Sequence, residues 1–390
     1  MRLGKVASLT IPIAAVGLLA ACGSSGGSPS SGAATGGPSS NADAAGVAAA
    51  KAFIAPLEQT PTSIGITTPL TKKPPTGKLI VVVSTTEAST IVKDNGIAAG
   101  AKALGWKYKE IPIQNTANGA AEAFQLALEL HPSGISLGGD PPATIASELA
   151  QACSEHIPVV YDSQPISAAQ LKQYPCIISQ SLNGTAQLSY GAKMVAAEIV
   201  SQSNGNAHVA LFNVPSYPVL VGEAAAFKQA MKEFCPSTCS VSEVDVQVTD
   251  VGTPTIPSDV VNFVRSNPKT NWMFSTFGDI ADGVEASLQT AGLASQVSLG
   301  GLNMTQGELA GLKSGQPGAW AAQPQPITGW RIDDIFARYF EGESLTPTLA
   351  FPPMQMLTPK NAASAVVDPS SGFWVGVASY RQDFEQLWRV

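Results

Sequence analysis

The sequence predicts an α/β protein made of two doubly wound parallel-sheet units of similar size. Short apolar runs that end in polar residues recur along the chain, and such runs are typical of strands buried in a parallel sheet. Segments with helical periodicity separate these runs, as βαβ units require. The alternation begins at residue 77, breaks near residue 181 and then starts again. Two consecutive units are therefore expected.

The first 21 residues are expected to be an export signal. Arg2 and Lys5 precede an apolar run that is too short to span about 30 Å of hydrocarbon. The run ends in Leu19-Ala-Ala-Cys22, which resembles a bacterial lipobox. This resemblance implies that Cys22 is lipidated and that the protein is exported and anchored to the outer face of the cytoplasmic membrane. An ordinary signal peptide with a chance cysteine is the alternative.

Residues 22–50 are expected to form a flexible tether, and residues 51–76 an amino-terminal extension. The stretch 23–46 is dominated by Gly, Ser, Ala and Pro, which cannot bury enough apolar surface to fold alone. A short helix is predicted over 43–57. Pro and Thr dominate 60–76, which is therefore expected to be extended.

The composition excludes several classes of function. Charged residues make up only 13% of the chain, the net charge is −7 and no basic run occurs, which argues against a nucleic-acid partner. The sequence contains no GxSxG, HExxH, Walker A or GxGxxG motif. We therefore expect no enzyme activity, no cofactor and no metal. A glycosidase pair formed by Asp140 and Asp162 is the enzymatic alternative.

Five cysteines are present, and four remain if Cys22 carries lipid. An even number in an exported protein suggests two disulfides, with three possible connectivities. Pairing Cys153 with Cys176 and Cys235 with Cys239 keeps each bond inside one predicted unit, so we favour it. A metal site is the weaker alternative, because no CxxC spacing accompanies these cysteines.

Five strands are predicted in each unit, and one or two more in the tail after Leu345. Those of the first unit are 78–84, 106–113, 134–137, 156–161 and 176–179. Those of the second are 208–212, 242–248, 272–275, 297–302 and 319–322. Two such units side by side leave a cleft, and ligands of open parallel sheets bind beyond the carboxyl ends of the strands. The first polar or aromatic residues after each strand are thus the candidate site.

Residues 77–345 resemble the type I periplasmic binding proteins, in particular the sugar-binding group. The resemblance rests on the order and spacing of short signatures rather than on any one of them; they are His156-Ile-Pro-Val-Val, Gly191-Ala-Lys, Ala225-Ala-Phe-Lys-Gln-Ala-Met, the stretch 283–292, the stretch 297–303, and Gln323-Pro followed by Gly329. It implies a three-segment hinge near residues 181, 323 and 345. Lobe I would comprise 77–181 and 324–345, and lobe II 182–323 and 346–390.

The strand-end rule and the resemblance together select ten ligand-binding candidates. They are Thr85, Thr86, Glu87, Asp140, Asp162, Ser163, Tyr217, Phe277, Asn303 and Gln323. Gln323 matches the family's hinge glutamine, and Tyr217 and Phe277 could stack on a flat ligand face. Glu87, Asp140 and Asp279 could instead cap the helices that start beside them. For Asp279 we favour the cap, whereas binding and capping are equal alternatives for Asp140 and Asp162.

Three positions in the second unit depart from the family pattern. An arginine of the family is replaced near Val221, with Glu223 close by, an asparagine becomes Phe277, and an aspartate becomes Asn303. Fewer hydroxyl-binding groups favour a modified or less hydroxylated sugar, or a partly apolar molecule.

The resemblance implies a monomeric substrate-binding protein that carries a sugar or a related small molecule to an ABC permease in the membrane. A receptor that presents its ligand to a membrane sensor is the alternative, and this sequence does not separate the two. Closure of the lobes over the ligand is expected in both cases.

Overall fold

The computed structural model describes residues 38–114, 116, 118–162, 164–181 and 185–390. The predicted signal peptide, Cys22 and the tether as far as residue 37 lie outside these residues. The first described element is helix α1 (Pro38–Ile54). No helix in the described part of the chain has the length and apolarity needed to cross a membrane.

Lobe I contains a five-stranded, wholly parallel sheet with the order β2-β1-β3-β4-β5. The strands are β1 (Leu79–Ser84), β2 (Lys107–Pro112), β3 (Gly134–Gly138), β4 (Val159–Asp162) and β5 (Ile177–Ser181). They are linked by α2 (Ala88–Ala103), α3 (Gly119–Glu129), α4 (Ala146–Ser154) and α5 (Ala168–Gln173). Helices cover both faces of the sheet, which is why β1 and β3 are buried along almost their whole length.

Lobe II contains a six-stranded sheet with the order β11-β10-β9-β8-β6-β7, in which only β11 is antiparallel. Its strands are β6 (His208–Asn213), β7 (Ser240–Asp245), β8 (Trp272–Ser275), β9 (Ser298–Leu302), β10 (Gly318–Ala322) and β11 (Gln355–Leu357). Its helices are α6 (Thr185–Gln202), α7 (Pro218–Phe234), α8 (Thr255–Ser266), α9 (Val284–Thr290) and α10 (Gln306–Lys313). The two-lobed α/β fold predicted from the sequence is confirmed.

Helix α11 (Gln325–Glu341) leaves lobe II at the end of β10 and packs against α2 of lobe I. Glycines make this contact close: a Cβ on Gly96 would lie 2.6 Å from the Pro326 carbonyl, and one on Gly329 would lie 2.3 Å from the Lys93 carbonyl. Larger residues at either position would push the helices apart. The close packing of α11 against α2 therefore fixes the position of the part of α2 that contains Lys93.

The amino-terminal segment spans both lobes. Val47, Ala50 and Ile54 of α1 are buried in the lobe II core, against α6 and α7. Ile64 and Leu70 are buried in the lobe I core. The flexible tether predicted up to residue 50 is therefore wrong from residue 38 onward, because α1 has an apolar face that lobe II covers. The short helix predicted over 43–57 overlaps α1 but starts later than the observed helix.

Hydrogen bonds hold this segment to both lobes. On lobe II, Gln355 Nε2 donates to the Glu58 carbonyl at 2.9 Å. On lobe I, the guanidinium of Arg338 donates to the Thr68 carbonyl at 2.6 Å, and Arg331 donates to the Ile64 carbonyl at 3.2 Å. The predicted extension over residues 51–76 thus runs across the hinge region.

The carboxyl-terminal tail does not stay in lobe II as we expected. After β11 the chain returns to lobe I, where helix α12 (Tyr380–Trp388) packs against α11. The rings of Trp388 and Trp330 are stacked with centroids 5.2 Å apart, and Trp388 Nε1 donates to Asp334 at 2.9 Å. Only the part around β11 therefore joins lobe II, and the chain crosses between the lobes more often than the expected three times.

Each lobe contains one disulfide. Cys153 pairs with Cys176 between α4 and β5 in lobe I, and Cys235 pairs with Cys239 between α7 and β7 in lobe II. This is the connectivity that the sequence favoured.

Candidate functional site

A cavity of about 130 Å³ lies between the carboxyl ends of the two sheets. Both lobes contribute to its wall, which combines amide, hydroxyl and charged side chains with apolar ones. We call it the inner pocket, and its lining residues are Thr85, Glu87, Ser89, Thr90, Lys93, Gly138, Gly139, Asp162, Gln164, Leu188, Tyr217, Val219, Leu220, Glu223, Thr276, Phe277, Leu302, Asn303, Gln323 and Gln325. The position agrees with the rule for open parallel sheets.

A buried ion-pair network forms the lobe I side of the inner pocket. Lys93 Nζ donates to Asp162 Oδ2 and lies 3.5 Å from Asp94 Oδ1, while the Ser84 hydroxyl donates to the other oxygen of Asp94. Burial disfavours the charge on Lys93, but the two carboxylates outweigh it and hold its pKa above the ordinary value. Burial also raises the pKa of Asp94. Asp162 is thus engaged with Lys93 at the end of β4.

The backbone of the β3–α4 loop is fixed beside this network. Gln164 Nε2 donates to the carbonyl of Gly139, whose φ of +91° favours glycine. A buried glutamine therefore holds the loop that closes one edge of the pocket. Ser163, the neighbouring candidate, lies outside the described residues.

The lobe II side of the inner pocket contains polar atoms without partners. Glu223, near the start of α7, is 1% exposed, and neither carboxylate oxygen has a hydrogen-bond partner among the described residues. Burial raises the pKa of Glu223 well above its ordinary value. Thr276 Oγ1 and Gln323 Nε2, which line the same pocket, are likewise buried and have no partner among the described residues. Such groups are costly unless a ligand pairs them.

Apolar side chains surround these polar atoms. Val219 and Leu220 on α7, Leu302 at the end of β9 and Leu188 on α6 are all buried and line the pocket. The rings of Tyr217 and Phe277 are half-buried, and both line the same cavity. Lobe II therefore offers an apolar surface with few, specific polar positions.

Asn303 and Gln323, which the sequence selected on two grounds, both line the inner pocket. Asn303 follows β9 in the left-handed region with φ +53°, and its side-chain oxygen accepts from Gln325 Nε2. Gln323 follows β10 at the crossing into α11. Asn303 and Gln323 thus bring the hinge next to the pocket. A ligand that contacts Gln323 also contacts the segment that passes from β10 of lobe II into α11 of lobe I.

The two lobes touch across the cleft. The backbone N–H of Ser89, in the first turn of α2, donates to Asp279 Oδ1 of lobe II at 3.3 Å. Asp279 therefore caps a helix of the opposite lobe, whereas we expected it to cap a helix beside itself. Burial raises the pKa of Asp279 to about 6, although its hydrogen bonds with Ser89 act in the opposite direction.

Two of the candidates lie away from the inner pocket. Thr86 and Asp140 line a second cavity, which we call the outer cleft, together with Tyr217 and the loop around Thr249 of lobe II. Its other lining residues are Thr85, Glu87, Ala88, Ile113, Gln114, Thr116, Ala120, Pro141, Thr144, Ser216, Val248, Val251, Gly252, Asp279 and Asp282. Burial and the nearby Glu87 raise the pKa of Asp140. The side chain of Glu87 makes no capping bond to α2, so the capping alternative does not account for it. Thr85 and Glu87 line both the pocket and the outer cleft.

Sequence reasoning missed Lys93, Gln164, Thr276 and Gln325 and passed over Glu223. Lys93 is four residues before the buried Ile97, and Glu223 is four residues before the buried Phe227. A charged residue on the apolar face of a helix is the signal that could have found both. Val221, which we associated with the missing arginine, is 45% exposed and does not line the pocket.

The described residues contain no group of three or more His, Cys, Asp or Glu side chains placed to hold a metal ion. The chemistry that these residues offer is hydrogen bonding, ion pairing and apolar contact with a small enclosed molecule.

Comparisons with known structures agree with the two-lobed fold. The chain is similar to a carbohydrate transporter from Acidothermus cellulolyticus in complex with myo-inositol, at 17% identity over 74% of this chain and 96% of that one, with a TM-score of 0.62. It is similar to a periplasmic solute-binding protein of an ABC transporter from Actinobacillus succinogenes with bound D-allose, at 12% identity over 74% and 99% of the two chains, with a TM-score of 0.65.

A third similar structure is an ABC transporter solute-binding protein from Agrobacterium vitis with bound allitol, at 18% identity over 74% of this chain and 97% of that one, with a TM-score of 0.61. At these identities the likeness concerns the fold. No match was found among curated proteins.

The family comparison covers most of the two lobes. Residues 80–344 match the model of the periplasmic binding protein domain. The matched range begins in β1 and ends just after α11, so it includes both sheets except β11. The chain therefore belongs to the periplasmic binding protein domain family.

Proposed function

We propose that this protein is the extracytoplasmic solute-binding component of an ABC importer and that its ligand is a sugar or a sugar-like polyol. The observation that carries the proposal is the inner pocket, in which both lobes direct hydroxyl and amide side chains at one small volume. A polyol needs such a set of donors and acceptors, because each enclosed hydroxyl must be paired. The similar structures with bound myo-inositol, D-allose and allitol support this class of ligand.

Closure of the lobes would couple binding to delivery. The hydrogen bond between Ser89, which lines the pocket, and Asp279 joins the two lobes. A ligand that bridges Lys93 and Asp162 of lobe I with Gln323 beside the hinge would favour this closed arrangement. A permease that recognises only the closed arrangement would then distinguish the loaded protein.

The proposal includes a lipid anchor on Cys22 and a place on the outer face of the cytoplasmic membrane, where the protein acts as a monomer. Its basis is the apolar run and the Leu19-Ala-Ala-Cys22 sequence. Labelled palmitate should enter the wild-type protein in cells, and Cys22→Ser should abolish the labelling and release the protein from membranes. Retention of label in Cys22→Ser would contradict the anchor, and light scattering of the purified protein tests the monomer.

A thermal-shift screen of the purified protein against sugars, polyols, nucleosides and small aromatic acids tests the ligand class. A ligand at 100 times its Kd should stabilise the fold by about 2.7 kcal/mol. We expect hits among sugars or polyols. Gln323→Ala should then weaken binding about tenfold by removing one hydrogen-bonding group.

The matched control is Gln289→Ala, which removes an exposed glutamine of the same lobe that lines neither the pocket nor the outer cleft. It should leave the affinity unchanged. Hits only among nucleosides or aromatic acids would contradict the sugar and polyol class. Equal losses of affinity in the two variants would show that the ligand does not bind in the inner pocket.

A further inference from the structure

Carboxyl groups outnumber cationic groups in and around the inner pocket. Three carboxylates, those of Asp94, Asp162 and Glu223, are buried there together with one ammonium group, that of Lys93. Among the described residues that line the pocket, Lys93 alone is a lysine or arginine. Residues 163 and 182–184 are Ser, Leu, Asn and Gly, so they add no cation by sequence. Lys93 is shared by two carboxylates, and Glu223 has no cationic partner in the described part of the chain.

The surroundings of Glu223 make it a receptor for a donor from outside the protein. It lies on α7 between Val219 and Phe227, and it lines the inner pocket together with Leu220 and Leu302. None of these side chains can donate a hydrogen bond. Both carboxylate oxygens are buried and unpaired among the described residues, and the side chain lines the cavity. Its partner must therefore be supplied by the molecule that enters the pocket.

We propose that the ligand carries a protonated amine beside its hydroxyls, as in an amino sugar or an amino polyol, and that Glu223 binds this ammonium group. The proposal rests on the proposed function, because it concerns the same pocket and the same polyhydroxylated class. A neutral hydroxyl would pair one oxygen of Glu223 and leave its charge uncompensated. An ammonium group offers three donors and cancels the charge, which is the condition under which a buried carboxylate is favourable.

The remaining polar atoms fit the rest of such a ligand. Thr276 Oγ1 and Gln323 Nε2, both unpaired among the described residues, are positioned for neutral hydroxyls. The half-buried ring of Phe277 and the side chain of Leu220 would cover the apolar face of the sugar or polyol. Lys93 and Asp162 would bind further hydroxyls from the lobe I side.

Calorimetric titration with ligand pairs that differ in one group tests the proposal. Suitable pairs are D-glucosamine with D-glucose, D-galactosamine with D-galactose, and 1-amino-1-deoxy-D-sorbitol with D-sorbitol, measured where the amine is protonated. In at least one pair the amine should bind about tenfold more tightly than the neutral partner. Glu223→Gln should remove that preference, so that the amine and its neutral partner bind the variant with affinities within about threefold of each other.

Glu233→Gln is the matched control, because Glu233 lies on the same helix and the charge change is the same. Glu233 pairs with Lys193 on the surface and does not line the pocket, so this variant should keep the amine preference. Neutral partners that bind as tightly as the amines, or a Glu223→Gln variant that still prefers amines, would overturn the inference while the proposed function stands. Failure of every amine and every neutral polyol to bind would instead overturn both.

Discussion

The two sides of the inner pocket differ in how completely their polar groups are paired. On the lobe I side, Lys93, Asp162, Asp94 and Ser84 already form one network. On the lobe II side, Glu223 is among the buried groups that have no partner in the described residues. The lobe I side is thus preorganised, whereas the lobe II side depends on a ligand for its hydrogen bonds. The difference indicates which side contributes to stability and which to selectivity.

Removing Lys93 should give the largest effect. Lys93→Ala leaves Asp162 and Asp94 buried without their cation, which should lower the free energy of unfolding by about 3–5 kcal/mol. Chemical denaturation of the purified protein measures this loss. Lys228→Ala is the control, because it breaks a largely exposed pair with Glu243 and should cost no more than about 1 kcal/mol. Similar losses of stability in the two variants would show that the buried lobe I network contributes no more to stability than the Lys228–Glu243 pair.

The two disulfides, one in each lobe, allow the stabilities of lobe I and lobe II to be compared away from the pocket. Loop-closure entropy predicts a loss of about 3 kcal/mol when Cys153 and Cys176 are both replaced by serine, and about 2 kcal/mol for Cys235 and Cys239, because the second bond closes a much shorter loop. Thermal unfolding of the two double variants shows which disulfide contributes more to stability. A greater loss from the Cys235–Cys239 pair would contradict the loop-length argument.

Replacing Glu223 should increase the free energy of unfolding, whereas replacing Lys93 or the cysteines should lower it. Glu223→Gln removes a buried carboxyl group that has no partner among the described residues and that must either carry an unpaired charge or take up a proton. The protein without ligand should therefore become more stable by about 1–3 kcal/mol at neutral pH. The folded state holds the Glu223 proton more tightly than the unfolded chain does, since burial raises its pKa. The wild type should therefore lose stability as the pH rises above the ordinary Glu range, and the variant should lose less.

Unfolding curves between pH 4 and pH 8 for both proteins measure this difference. If the variant were less stable than the wild type at every pH, Glu223 would have a structural partner, and the contrast between the two sides of the pocket would be lost.

Whether the sequence alone could identify a residue of the site depends on where that residue lies in the fold. Thr85, Asp162 and Asn303 stand at strand ends, where a general rule for parallel sheets locates ligands. Lys93 and Glu223 lie inside helices, and their burial depends on tertiary contacts such as the approach of α11 to α2. Sequence spacing gives the apolar face of a helix but not the surface that covers it.

The same limitation explains the two errors in the fold. Helix α1 is rich in Ala, and its first half lies in a stretch that resembles a linker in composition, yet α6 and α7 supply an apolar surface for it. Helix α12 has the periodicity of a surface helix, which could not reveal that Trp330 of lobe I is its partner. Periodicity therefore predicted the repeating core of each lobe, and contacts between remote segments decided the rest.

The contact that joins the two sides should give the smallest effect. Asp279→Ala removes the acceptor for the Ser89 N–H, so the closed arrangement should weaken by about 1 kcal/mol and ligand affinity should fall about fivefold. Asp279→Asn keeps a side-chain oxygen acceptor and should retain most of the affinity. Calorimetric titration with a neutral polyol that binds the wild type measures both.

The pH dependence of closure separates the charge of Asp279 from its hydrogen bond. Burial raises its pKa to about 6 in the closed arrangement, with the neighbouring Asp282 adding to the rise, whereas the open cleft exposes it to water and should return it towards the ordinary value. Closure then takes up a proton between about pH 4 and pH 6, so the affinity of the wild type for a neutral polyol should rise as the pH falls through that window. Both variants should lose this rise, but only Asp279→Ala should also bind more weakly at neutral pH. A wild-type affinity that falls over the same window would mean that the ionised carboxylate, rather than its neutral form, holds the two lobes together.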